Sequence, residues 1–285
     1  MTGAIVSMAA FAAGLGDIRY AAALTGRPAA IETPLNEPRF WLTPPVVAWD
    51  AVSKALDLLS IAGESVLLPR SGPEIEKTCL RLLSCGPVLW GPLRRDVLWK
   101  RVEGRYWAGS THFVMVLCAD DKGVVYHDPE GLPFARKKLS ELIAAKTTDT
   151  LSGLVQIIPG PPISISEIRY AAIEHIRAVR KLAAARLDNG AMGLSALADA
   201  LPALKLVGSM RHALDIALAN RGRSIAQIRD LLEPSAPGLR LLAEYSLSCA
   251  RARWALLHDS VPNLAASVRA MARSESGLDE IIGSQ

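Results

Sequence analysis

The chain has 285 residues, 50% of them hydrophobic and 21% charged, with four cysteines and a net charge of +4. This composition excludes a largely disordered chain, and the length suits one large domain or two ordinary ones. No apolar run reaches the ~20 residues of a membrane-spanning helix. The nearest, Ala4 to Leu15, contains Ser7 and Gly14 and has no basic residue before it, so no secretory signal is expected. The first 163 residues carry 17 basic and 16 acidic side chains and the rest 15 and 12, too even a balance for a nucleic-acid footprint. Cys79, Cys85, Cys118 and Cys249 show no CxxC spacing, so neither a zinc site nor a redox pair is expected. Four cysteines without a signal point to a reducing, cytoplasmic setting.

In chain order, Met8 to Leu15 reads as a short helix, punctuated by Gly14 and Gly16. Five prolines between residues 28 and 45 mark an extended loop. Helices are expected over 46–62, with Val47, Val52, Leu56 and Leu59 on one side, and over 74–84, with Pro73 in the first turn. The period then changes: residues 87–93, 112–118, 123–127 and 154–158 are rich in β-branched and aromatic residues and read as strands. Pro159-Gly160-Pro161-Pro162 can continue neither a helix nor a central strand. Beyond it, helices are expected over 166–187, 193–205, 208–220, 224–232, 238–258 and 262–273, with Ser164 or Ser166 as the first cap and Asn189-Gly190, Arg221-Gly222 and Pro234 to Pro237 as breaks. The fold class is therefore α+β: a mixed domain over 1–160 and an all-helical domain over 161–285.

The informative segment runs from Thr111 to Pro129. Ala119 to Gly123 reads as a five-residue hairpin turn, which sets Cys118 opposite Val124, Val116 opposite Tyr126 and Val114 opposite Asp128. His112 and Asp128 are then diagonal neighbours on one face of an antiparallel pair, about 7–8 Å apart at the backbone. An Asp so placed can hold an imidazole in one tautomer and stabilise its protonated form. The plainer alternative makes His112 a polar residue opening a strand and Asp128-Pro129 a turn signal; a one-residue slip would send the two side chains to opposite faces.

The stretch THFVMVLCADDKGVVYHDPEG resembles the His-strand, turn, Asp-Pro-strand signature of papain-like folds of the bacteriocin-leader-peptidase kind. The wider layout is similar to the butirosin-biosynthesis acyltransferase family: an N-terminal nucleophile helix, a helix and Gly-x-Pro-Val-type strand matched by Cys85-Gly86-Pro87-Val88, the His and Asp strands, and a helical C-terminal domain. The resemblance implies a papain-like domain with an antiparallel sheet. It also implies a cysteine at the head of the first helix, where this chain has Ser7. A Ser-His-Asp triad of Ser7, His112 and Asp128 would follow, with His112 as base, because a free hydroxyl is barely ionised at pH 7. A helix N-terminus at Ser7 would serve a developing oxyanion; the alternative is that Ser7 only caps the helix. Papain-like enzymes place a Gln shortly before the nucleophile, and Met1 to Val6 holds none.

Other candidates carry less. Cys85 falls in a helix-to-strand loop, Cys79 on an apolar helix side, and Cys118 at a strand end. Thr2 would be terminal only after removal of Met1. His127 points away from Asp128's face, and His175, His212 and His258 lie on helices without partners at ligand spacing. Arg94, Arg95, Lys100, Arg101 and Arg105 interleave with Trp90, Trp99, Tyr106 and Trp107, which reads either as a solvated loop or as a recognition loop for an acidic partner. The expected function is acyl transfer in specialised metabolism, from a carrier-protein thioester through an acyl-serine to an amine, a hydroxyl or water. The resemblance implies an acyl carrier protein as partner and no cofactor beyond its phosphopantetheine. Neither metal, nucleic acid nor membrane is expected as a partner, and a homo-oligomer stays open. Alternatives are a papain-like peptidase or amidase and a binding protein that has lost the nucleophile.

Overall fold

A computed structural model of the chain describes residues 2–15, 21–33, 35, 48–67, 72–98, 111–128, 132–146, 153–184, 190–232 and 235–283. The chain divides into two compact units, Met1–Ile18 with Ala55–Ile163, and Arg19–Lys54 with Ser164–Gln285.

The first unit is built on one six-stranded sheet with strand order β1-β6-β2-β3-β4-β5, every pair antiparallel. Its strands are β1 (Ile61–Leu67), β2 (Val88–Arg94), β3 (Thr111–Asp120), β4 (Gly123–Asp128), β5 (Leu132–Lys137) and β6 (Gly153–Pro159). Helices α1 (Thr2–Ala12), α4 (Gly72–Leu83), α5 (Arg95–Leu98) and α6 (Leu139–Ala144) accompany it, and α2 (Ala21–Leu24) and α3 (Ala48–Leu58) lie between α1 and β1 in the chain. The core of the sheet's helix-covered face joins Val88, Trp90, Val114, Val116, Tyr126 and Leu154 to Ile75, Cys79 and Leu82 of α4 and Leu142 of α6. These are bulky apolar side chains at every second strand position, which places them on one face of the pleat. β1 and β5 were not foreseen, and the helix expected over 46–62 stops at Leu58, where Ser60 turns with a φ of 54°.

The hairpin carrying the candidate site differs from expectation at its tip. Asp120 pairs with Gly123, so the turn is two residues, not five. The Asp120 carboxylate accepts the Lys122 N–H at 2.9 Å, and Gly123 supplies a φ of 127°. The tighter turn is compensated by a bulge between Val116 and Cys118. Cys118 consequently pairs with Val125 rather than Val124, while Val116 still faces Tyr126 and Met115 faces His127. The bulge also leaves Cys118 exposed.

The second unit contains α7 (Ile165–Ala183), α8 (Gly190–Ala200), a 3-10 turn over Leu201–Ala203, α9 (Gly208–Leu232), α10 (Ala236–Leu257) and α11 (Val261–Gly283). Ser164 caps α7 by accepting the Glu167 N–H, and Glu167 returns the contact. Arg221-Gly222 does not break the chain: α9 is continuous through it. Arg221 is buried in a charge network and Gly222 lies against Cys249 of α10, whose Cβ would sit 3.6 Å from a side chain placed there. Arg221 bonds Glu275 of α11 at 2.5 Å, the Tyr245 hydroxyl at 3.0 Å and the Pro28 carbonyl at 2.6 Å. Tyr245 donates to the same carboxylate, and Arg180 of α7 reaches Glu275 at 2.8 Å and the Ala29 carbonyl at 2.7 Å. Burial alone would raise the Glu275 pKa, but the two guanidiniums hold it below the ordinary carboxylate value. Among the described residues no helix is long and apolar enough to cross a membrane.

Candidate functional site

The sheet brings His112 and Asp128 together. His112 lies second in β3 and pairs with Leu93 of β2, and Asp128 closes β4. Both side chains are fully buried, and His112 Nε2 lies 2.8 Å from Asp128 Oδ1. The diagonal works because the bulge restores the register on the side of the hairpin where the pair sits. A carboxylate that is ionised can only accept, which would put the bonding hydrogen on Nε2. A carboxylate bonded to a ring nitrogen in this way can hold an imidazole in one orientation, the geometry a general base would need.

The surroundings are apolar. Val114 follows His112 on the same face of β3 and pairs with Trp90. Trp90 and Tyr126 are buried there, and the Trp90 indole N–H has no hydrogen-bond partner among the described residues. Burial, reinforced by Asp128, pushes the Tyr126 phenol up to about 12, so it stays protonated. Period-two spacing, which sets Tyr126 with Asp128 and Val114 with His112, is the sequence signal that places these apolar neighbours beside the pair. On the neighbouring strand, Gly91 admits the Phe113 ring: a β-carbon at Gly91 would come within 2.1 Å of it.

Ser7 is placed differently from expectation. Helix α1 begins at Thr2, not Met8, so Ser7 is an interior residue, exposed on the helix, and not a cap. Nothing between Thr2 and Ala12 stops the helix except Gly3, which the first turn tolerates. An interior residue's N–H is consumed by the helix ladder, so the helix N-terminus is not available at Ser7 to an oxyanion. The buried residues Ile5, Val6, Ala9 and Ala10 form the inner side of α1, which packs against β3. The structure thus joins His112 to Asp128 and places the Ser7 helix beside the His strand.

The remaining candidates separate. Cys79 is buried on α4 and Cys249 on α10, and burial pushes each thiol up to about 12, which makes them poor nucleophiles. Cys85 is exposed in the turn after α4, with its Sγ 3.7 Å from the Arg81 carbonyl. His127 points away from the dyad; its Nδ1 accepts the Phe134 N–H at 3.1 Å and its ring stands edge-on to Phe134. His175 lies on α7, where burial lowers its pKa, His212 lies on α9, and His258 closes α10. Arg94 pairs with Asp96 at 2.7 Å. Trp99, Lys100, Arg101, Arg105, Tyr106 and Trp107, the larger part of the basic-aromatic cluster, lie outside the described residues, as does Pro129. Among the described residues, no three His, Cys, Asp or Glu side chains are grouped to hold a metal ion. Neither a scan of protein-family profiles nor a search of curated proteins returns a match to the chain.

Proposed function

We propose that this protein is an acyl-transfer enzyme with a papain-like catalytic domain, similar to the butirosin-biosynthesis acyltransferases, in which the His112–Asp128 pair activates Ser7. The observation that carries the reading is the buried, hydrogen-bonded His112–Asp128 pair on adjacent antiparallel strands. Two polar side chains of this kind are expensive to bury unless bonded, and their arrangement is that of a base with its orienting acid. In the reaction, Ser7 Oγ attacks a thioester carbonyl as His112 takes its proton. The tetrahedral intermediate collapses to an acyl-serine, and the thiolate leaves with the proton from His112. His112 then deprotonates an amine, a hydroxyl or water, which attacks the acyl-serine and releases Ser7. A carrier-bound phosphopantetheine thioester is the donor class this chemistry suits, and no metal or further cofactor takes part in it.

A second reading is favoured by the place of Ser7. An exposed serine in mid-helix lacks the oxyanion donors of a helix N-terminus, as expected of a protein that keeps the fold for binding. One experiment separates the two: treatment with an acyl-pantetheine thioester or a fluorophosphonate, followed by peptide mass spectrometry. Acyl transfer predicts an adduct on Ser7 that vanishes in His112→Ala and persists in part in Ser7→Cys. Absence of any adduct on a folded protein, or labelling of Cys85 or Thr2 instead, overturns the triad.

A further inference from the structure

Helix α10 is apolar on two opposite sides. Its inner side buries Leu242, Tyr245, Cys249, Ala252, Ala255 and Leu256. Its outer side exposes Ala243, Leu247, Ala250, Trp254 and Leu257, with Leu247, Trp254 and Leu257 at 48%, 56% and 58% accessibility. A helix apolar all round is ordinarily a covered one. With Arg240, the outer residues recur at alternating steps of three and four, the spacing of a coiled-coil seam: Arg240, Leu247 and Trp254 at one core position, Ala243, Ala250 and Leu257 at the other. Glu244 and Arg251 flank this seam on one side, both exposed, and neither side chain is in an ion pair with a described residue.

We propose that this face is a homodimer interface, formed by α10 packing antiparallel on α10 of a second copy about a two-fold axis. The pattern is self-complementary in that orientation alone. Antiparallel seams set the two core positions against each other. Leu247 of one copy then meets Ala250 of the other, Trp254 meets Ala243, and Leu257 meets the aliphatic stem of Arg240, large against small at each layer. The same register sets Glu244 against Arg251 of the other copy, twice, as an isologous interface requires. Arg253, held by Asp215 at 2.7 Å, meets Ser246 on the opposite flank. Parallel packing would instead stack Trp254 on Trp254 and Ala250 on Ala250, and bring His258 towards Arg253.

The test is oligomeric state, measured by sedimentation velocity and multi-angle scattering on the full chain over a micromolar concentration series. The wild type is expected to dimerise with concentration, and Trp254→Glu to be monomeric with unchanged far-UV circular dichroism and Tm. Glu244→Arg or Arg251→Glu alone is expected to weaken the dimer about tenfold, since each spoils two symmetric pairs. The double reversal, which rebuilds both pairs with exchanged signs, is expected to restore it. Three results overturn the proposal: a wild type that stays monomeric throughout the series, which would leave the face to another partner; a dimer indifferent to Trp254→Glu; or a double reversal no tighter than the single ones.

Discussion

At the scale of single residues, two buried polar clusters carry opposite meanings. His112 and Asp128, the candidate base and acid, are joined by a buried hydrogen bond between neighbouring strands. Glu275 is saturated: Arg180, Arg221 and Tyr245 all donate to it, and the guanidiniums reach on to the Pro28 and Ala29 carbonyls. That arrangement suits a structural rivet, because removing one partner would strand a charge without solvent. Glu275→Ala is accordingly expected to lower the unfolding free energy by about 3–5 kcal/mol, measured by urea denaturation. Asp199→Ala, which frees the half-exposed Arg269 from a surface pair, is expected to cost under about 1 kcal/mol. Equal losses would show that burial does not set the value of the Glu275 network. The His–Asp pair was legible because side chains alternate along strands. The Glu275 network was not, since its members come from α7, α9, α10 and α11 and no local pattern links residues 180, 221, 245 and 275.

At the scale of elements, β3 and β4 show how a misplaced turn can leave the register beyond it unchanged. The sequence pattern implied a five-residue tip; Asp120 and Gly123 instead close a two-residue one, and the extra residue is absorbed between Val116 and Cys118. Only the residues between bulge and tip change partners, and the end bearing His112 keeps its register. β1 was hidden for another reason. Its Gly63, Glu64 and Ser65 carry little strand propensity, and the strand forms because Ile61 to Leu67 pairs residue by residue with β6. Gly123 is the most constrained point of the hairpin: a β-carbon there would stand 2.3 Å from the Lys137 carbonyl oxygen at a φ of 127°. Gly14 also has a positive φ, 77°, but open space around it. Gly123→Ala is therefore expected to cost about 1–3 kcal/mol more than Gly14→Ala, because a φ of 127° lies far from the left-handed region near 77° and the backbone clash is confined to Gly123. Thermal unfolding of the two variants measures the difference, and similar Tm values would show that the hairpin can shift to admit a methyl group.

At the scale of the whole molecule, the proline-rich stretch at 159–162 has the composition of a boundary, and β6 does end at Pro159 with α7 starting at Ile165. Composition gives no hint that an early segment belongs with the late helices. Residues 19–54 group with Ser164–Gln285, and the contacts of that segment explain why. Pro28 and Ala29 accept from Arg221 and Arg180, the Ile31 carbonyl accepts the Gly190 N–H at 2.9 Å, and His175 lies so close to Gly26 that a β-carbon there would come 2.7 Å from its ring. Leu24, Ala29, Ala30 and Ile31 of the segment are buried, so removing it exposes the apolar surface they cover as well as taking these acceptors away. A fragment of residues 161–285, cut where the sequence invites it, is thus expected to unfold without a sharp cooperative transition or to populate a loosely packed helical state. Adding residues 19–54 as a separate peptide is expected to raise its Tm with the logarithm of peptide concentration, as binding to the native state alone requires. Calorimetry of the fragment with and without the peptide decides the matter: a fragment that melts cooperatively by itself, indifferent to the peptide, would show that the late helices supply their own core.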